Sequence, residues 1–433
     1  MLLYCHTATP RLKYTADFIG NQLLGRPFEL TTDEYFFSNY RGPKINYSRG
    51  DITGAELRVQ SAGLLFEKGI TDHNIQCFET NGHKAFFRTG GDLPFDIFAA
   101  SFYLLSRYEE YLPHQKDKYG RYAHENSLAF KENFLRLPLI NIWIEDFGKA
   151  LQKKFPECAI HRARFEFIPT YDIDEAFSYK HKQWWRTIGG MAKSIVNGRW
   201  SMIPDRVNVL SGNKKDPYDS FEWMNKLNHR YNLKPQYFFL VAHKTEKYDK
   251  NILPSVKAME DLIQRHGEQY PVGIHPSWQS GDDPDKLKFE ILKLGHVTGK
   301  QINSSRQHFI RFTLPHTYRE LISLGIQCDF SMGYGSINGF RASVASPFYW
   351  YDLEKEEQTR LLLYPFCFMD ANSFFEQKFS PSQTADELKH YYDVVKSVNG
   401  TLITIWHNTF LGTDKLFSGW REVYEQFVSS VHS

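Results

Sequence analysis

The chain has 433 residues, with 52 Lys and Arg against 50 Asp and Glu, for a net charge of +2. That length predicts two or three domains, and the near balance of charge, with no long run of one sign, argues against nucleic acid or an anionic membrane surface as partner. No run of about 18 apolar residues occurs, so no membrane span is expected.

The N-terminus, MLLYCHTATPRLKY, has a short apolar start broken by His6 and Pro10 and lacks a signal-peptide core, which predicts a cytoplasmic location. Cys5, Cys77, Cys158, Cys328 and Cys367 are odd in number, far apart and without C-x-x-C spacing, so neither a disulfide framework nor a cysteine zinc site is expected. The 25 Tyr, 35 Phe and 9 Trp supply either broad aromatic surfaces of the kind sugars stack on, or plain packing.

Up to residue 160 short strand-like pieces mix with helices, predicting an α+β N-terminal domain without a reaction centre of its own. Within it FDIFAASFYLLSRYEEYL, residues 95–112, carries Ile97, Leu104, Leu105, Tyr108 and Leu112 at helical spacing, predicting one core helix that stops near Pro113. LINIWIEDFGKALQKKF predicts a second helix, ended by Pro156.

From 161 to 433 the pattern alternates. FEFIPTYDID, PQYFFLVAH, YPVGIHP, QHFIRF, RLLLYPFCFMD and GTLITIWHN read as strands; FEWMNKLNHRYN, PSVKAMEDLIQRHG, DKLKFEILKLG, HTYRELISLG and TADELKHYYDVVKSVNG read as helices. Alternating βα units predict a parallel sheet, with a barrel as its natural closure and active-site residues at the C-terminal strand ends. The fold class expected is therefore α/β, a βα barrel over 161–433 preceded by a smaller α+β domain over 1–160. The segment 180–218, with WWRTIGG and SGNKKDPYDS, reads as an insertion or lid.

Chemistry-bearing residues gather at the predicted strand ends. In TYDID, Asp172 and Asp174 are two apart, so a strand sends both to one face, where two like charges need a cation or a shared proton. A turn former or helix cap is the plainer reading of each. A calcium loop is excluded, because Phe177 and Gln183 stand where Gly and Glu are required. An aspartyl-nucleophile phosphatase also begins D-x-D at a strand end and stays open. Further along, His275 follows a strand in GIHPSW, Arg306 and His308 lie two apart in SSRQHF, and His407 ends TLITIWHN.

The order TYDID, HPSW, RQHF, CDFSMGY, LLLYPF and TLITIWHN resembles the polysaccharide deacetylases, carbohydrate esterase family four, of the NodB-homology type, over roughly residues 165–410. DIFAASFYLLSRYEEYL and GFRASVASPFYWYD look like a bacterial branch with an extra N-terminal domain. The resemblance implies a distorted seven-stranded βα barrel, a divalent metal such as zinc, a carbohydrate substrate and hydrolysis of N-acetyl groups on an amino-sugar glycan or its precursor. It implies Asp172 as base, Asp174 and His275 as metal ligands, Arg306 orienting Asp172, and His407 as general acid. The family has a second metal histidine four positions after the first, where this chain has Gln279. His308 either replaces that imidazole or merely packs in the barrel. A glycan-binding protein on the same scaffold, no longer catalytic, is the alternative function.

Overall fold

The computed structural model describes residues 1–182 and 202–432; the WWRTIGG part of the expected lid lies outside the described residues. Two sheets organise the chain. The first is four-stranded and parallel, in the order β2-β1-β3-β4, with β1 Leu2–Cys5, β2 Glu29–Thr31, β3 Lys44–Tyr47 and β4 Leu57–Arg58. A small hairpin pairs β5 Phe78–Thr80 with β6 His83–Ala85.

The second sheet has nine strands: β7 Glu166–Ile173, β8 Gln236–Leu240, β9 Val272–His275, β10 Ser304–Ser305, β11 Cys328–Asp329, β12 Phe348–Asp352, β13 Glu357–Leu363, β14 Phe368–Met369 and β15 Thr401–His407. Their order is β12-β13-β11-β10-β9-β8-β7-β15-β14, parallel throughout except for the β12–β13 hairpin. Among the described residues β12 and β14 are not hydrogen-bonded to each other, so the sheet is a strongly curved open one by its pairing. Its curvature is legible in one contact. Arg306, just after β10, reaches Asp172 on β7, three inter-strand steps away, at 3.2 Å. In a flat sheet about 14 Å of backbone separates those strands.

Helices link the parallel strands. The helix Pro284–Thr298 starts where Asp283 accepts from the Lys286 N–H, and Pro381–Ser397 starts at a reciprocal Ser380–Gln383 capping box. A further helix, Trp420–Val431, absent from the sequence expectation, brings the Tyr424 hydroxyl to that of Tyr171 at 2.7 Å.

Three expectations need correction. QHFIRF is not a strand: the pairing residues are Ser304 and Ser305, and His308–Ile310 forms a 3-10 turn with Phe309 at φ 59° and Ile310 at φ 54°. RLLLYPFCFMD is two strands, because β13 leaves the sheet at Leu363 after pairing with β12, which the sequence reading missed. The helix in FDIFAASFYLLSRYEEYL ends at Leu105, since Arg107 takes φ 55° and a 3-10 turn follows over Tyr108–Tyr111.

Residues 1–160 pack directly on the large sheet. Tyr14, Phe102 and Tyr351 meet ring to ring, with centroids 5.0 to 6.2 Å apart. Glu110 accepts from Arg107 at 2.8 Å and from both the Nε and an Nη of Arg341, at 2.8 and 2.6 Å, all three side chains being buried. One hydrophobic core therefore runs through both parts, which is where most of the aromatic residues go.

Candidate functional site

The C-terminal ends of β7, β9, β10 and β15 open into one cavity of about 800 Å³, lined by Asp172, Asp174, His275, His308 and His407 among others. Parallel register places His407 beside Asp172, and the pleat turns Asp172 and Asp174 to the same side. Arg306 lies beneath. Its guanidinium donates to Thr170 Oγ1 at 2.7 Å and to Asp172 Oδ1 at 3.2 Å, with the Phe238 ring 4.7 Å away. Buried in this way, the Asp172 carboxylate has its charge matched on one oxygen, and its other oxygen lies 4.0 Å from His275 Nε2.

Asp174 is the hub. Its Oδ1 lies 3.1 Å from His275 Nε2, and its Oδ2 lies 3.5 Å from His308 Nε2 and 3.6 Å from His407 Nε2. Burial opposes its charge, yet the imidazoles of His308, His275 and His407 hold the carboxyl well below the usual range.

Each imidazole is oriented from behind. His275 Nδ1 meets the Arg306 carbonyl at 2.6 Å; a carbonyl only accepts, so Nδ1 carries a hydrogen and Nε2 is the ring atom that faces Asp174. His308 Nδ1 faces Asp249 Oδ1 at 3.1 Å, and His407 Nδ1 faces Asp370 Oδ1 at 2.6 Å. Burial works against a proton on either ring. The carboxylates outweigh it: Asp174 and Asp249 push His308 up to about 9, and Asp370, with Asp174 and Asp172, pushes His407 up to about 10.

Asp174, His275 and His308 can each offer one ligand atom, all within 4.8 Å of one another. The Asp174 Oδ1 is buried without a hydrogen-bond partner. A buried carboxylate oxygen 3.1 Å from an imidazole nitrogen needs a proton or a cation between the two. One carboxylate and two imidazoles, each tied through its second nitrogen, is a donor set that a divalent cation, zinc among them, takes with a coordination position left open. The residues therefore fit the group.

Gln279 does not face this centre. Its Nε2 donates to Asp249 Oδ2 and to the Lys244 carbonyl, both at 3.1 Å, while the Trp278 N–H donates to Asp249 Oδ1 at 2.8 Å. The residue in the position of the family's second histidine thus supports the carboxylate that orients His308. Asp249 and Asp370 escaped the sequence reading. Asp370 ends a predicted strand, the same signal that marked His275 and His407, whereas Asp249 lies in a loop with no pattern around it.

The N-terminal residues were expected to hold no reaction centre of their own. Lys118, Tyr119 and Arg121 nevertheless line the cavity. Arg121 donates to the carbonyls of Phe309 at 2.7 Å and Gly335 at 3.0 Å, fixing the turn that follows His308.

Residues 1–156 match the model of a family described as a family of unknown function, DUF7033. No curated protein matches the chain in sequence. Among solved structures, the chain is similar to a presumed polysaccharide deacetylase from Mycobacterium smegmatis at 12% identity and a TM-score of 0.41, over 63% of this chain and 85% of that one. It is also similar to PuuE allantoinase at 12% identity and 0.39, over 62% and 83%, and to the polysaccharide deacetylase Bc1974 from Bacillus cereus at 10% and 0.31, over 61% and 88%.

Proposed function

We propose that this protein is a metal-dependent deacetylase that hydrolyses N-acetyl groups of an amino-sugar glycan or glycan precursor. The observation that carries the reading is the convergence of Asp174 Oδ1 and the Nε2 atoms of His275 and His308, each imidazole tied through its Nδ1. A divalent cation bound there supplies Lewis acidity toward an amide carbonyl. The chain's own residues handle the protons. Asp172, held by Arg306 at 3.2 Å, accepts one from the attacking water. His407, charged at neutral pH because Asp370 backs it, gives one to the departing nitrogen, without which an amine leaves poorly.

The aspartyl-phosphatase alternative fits less well. Its nucleophile would be Asp172, which is 1% exposed and has one oxygen committed to Arg306. Residues 1–160 are read as an accessory domain and 161–433 as the domain carrying the chemistry, each with its own sheet. The experiment is metal analysis of purified protein beside Asp174→Ala, followed by acetate release from N-acetylglucosamine oligomers beside Asp172→Asn. Bound metal and acetate release, the first lost in Asp174→Ala and the second in Asp172→Asn, are expected. Equal metal content in the protein and Asp174→Ala overturns the site, and phosphate release without acetate release overturns the reaction.

A further inference from the structure

At one side of the cavity two loops from distant parts of the sequence meet. The Tyr119 and Tyr248 rings meet edge to face, 6.1 Å apart between centroids and at 80° to each other, and both pack on Phe309, at 5.3 and 5.4 Å. Tyr248 also lies against Trp278 at 4.2 Å. This aromatic shelf is half-buried and begins one residue after the candidate ligand His308.

The shelf is rigidly built. Asp117 Oδ1 accepts from the Tyr119 and Arg121 N–H groups, Gly120 turns the loop at φ 75°, and the Arg121 guanidinium lies 4.8 Å from the Tyr119 ring centre while bonded to the carbonyl of Phe309. Aromatic rings fixed in this way meet a pyranose face with little ordering cost.

Its charge is one-sided. Lys118 and Lys247 are exposed, line the same cavity, and hold their ammonium groups 4.9 and 4.8 Å from the Tyr119 and Tyr248 ring centres. Neither lysine has a carboxylate in ion-pair range among the described residues. Of the four lining acids, Asp172 is paired with Arg306, Asp174 with the histidines and Glu175 with Lys182, while the exposed Glu376 is outside ion-pair range of both lysines. Two uncompensated ammonium groups above an aromatic shelf complement a sugar that carries a negative charge.

We propose that this shelf, to which the N-terminal residues supply Tyr119 and Lys118, is a subsite for an anionic saccharide. A sugar ring lies in the corner that the perpendicular Tyr119 and Tyr248 rings make, on the face of one and the edge of the other, and its anionic substituent lies between Lys118 and Lys247. The proposal rests on the deacetylase reading and names the substrate class for it: an amino-sugar glycan bearing carboxylate or phosphate rather than a neutral one.

The test is calorimetric binding to the full chain of four probes: a tetrasaccharide alternating glucuronic acid with N-acetylglucosamine, the neutral N-acetylglucosamine tetramer, N-acetylglucosamine 1-phosphate, and N-acetylglucosamine. At low salt an anionic probe is expected to bind on the order of tenfold tighter than its neutral counterpart, with the advantage shrinking as salt rises. The carboxylate and phosphate pairs tell which anion is preferred. The advantage is expected to vanish in the double variant Lys118→Ala/Lys247→Ala and to reverse in Lys118→Glu/Lys247→Glu, both with unchanged metal content as the sign of an intact fold. Equal binding within both pairs, or an advantage that survives the double variant, overturns this proposal alone. Binding of none of the four overturns it together with the deacetylase reading.

Discussion

His308 Nδ1 donates to Asp249 Oδ1 at 3.1 Å while Nε2 of the same ring faces Asp174 at 3.5 Å. One imidazole is thus clamped between two carboxylates, one that orients it and one that shares its candidate metal. Such an orienting partner typically contributes on the order of 10- to 100-fold to metal affinity.

Asp249→Asn is therefore expected to weaken metal binding by about that factor, measured by competition with a chelator of known affinity. Gln279→Ala is expected to weaken it less, because the Trp278 N–H still holds Asp249. A Gln279→Ala effect equal to that of His308→Ala would place Gln279 among the ligands and contradict the geometry.

Metal binding is expected to release one proton near neutral pH. Without metal, His308 has its pKa raised to about 9 by its two carboxylates, so its Nε2 must deprotonate before it can coordinate. Affinity should rise about tenfold per pH unit up to roughly pH 9 and then level off. Calorimetry in buffers of different ionisation enthalpy counts the proton, and His308→Ala should abolish its release.

Asp370→Asn is expected to move the alkaline limb of acetate release to lower pH. His407 must be charged to act as an acid, and Asp370 is the main group raising it to about 10. Activity falls as pH rises through this pKa, so lowering the pKa moves the fall toward neutrality. A shift of at least about one unit is expected, equivalent to about 1.4 kcal/mol. An unmoved limb would take the acid role from His407.

Acid should loosen the contact between the two parts of the chain. Burial opposes charge on Glu110, but Arg341 and Arg107 hold its carboxyl at about 2, below the usual 4.5. This contribution, of the order of 3 kcal/mol, is fully present above pH 4.5 and is lost as pH falls through about 2. Glu110→Gln leaves two buried guanidinium groups short of their counter-ion and should cost about 3–5 kcal/mol in urea denaturation at pH 7. It should also flatten the stability profile below pH 4.5.

The sequence by itself determined the residues whose direction follows from strand periodicity. Asp172 and Asp174 share a face because β7 is pleated, and His407 closes the apolar run of β15, its place beside Asp172 being left to the pairing of β15 with β7. HPSW likewise ends β9 with His275 buried at the cavity floor. These are local consequences of backbone geometry, and the apolar runs before them mark where each strand stops.

Only the tertiary structure decided which side chains complete the centre. Arg306 and His308 follow β10 rather than sharing its face; they meet Asp172 and Asp174 because the sheet curls and because Phe309 and Ile310 take positive φ just beyond them. No periodicity encodes such a turn. Asp249 is 59 residues from His308 and Asp370 is 37 from His407, so their pairings exist only once loops from separate βα units meet at one end of the sheet. Gln279 reads in sequence as a lost ligand. In three dimensions it holds the carboxylate behind another one, because coordination depends on where Nε2 and Oδ1 atoms converge, and convergence is a property of packed loops.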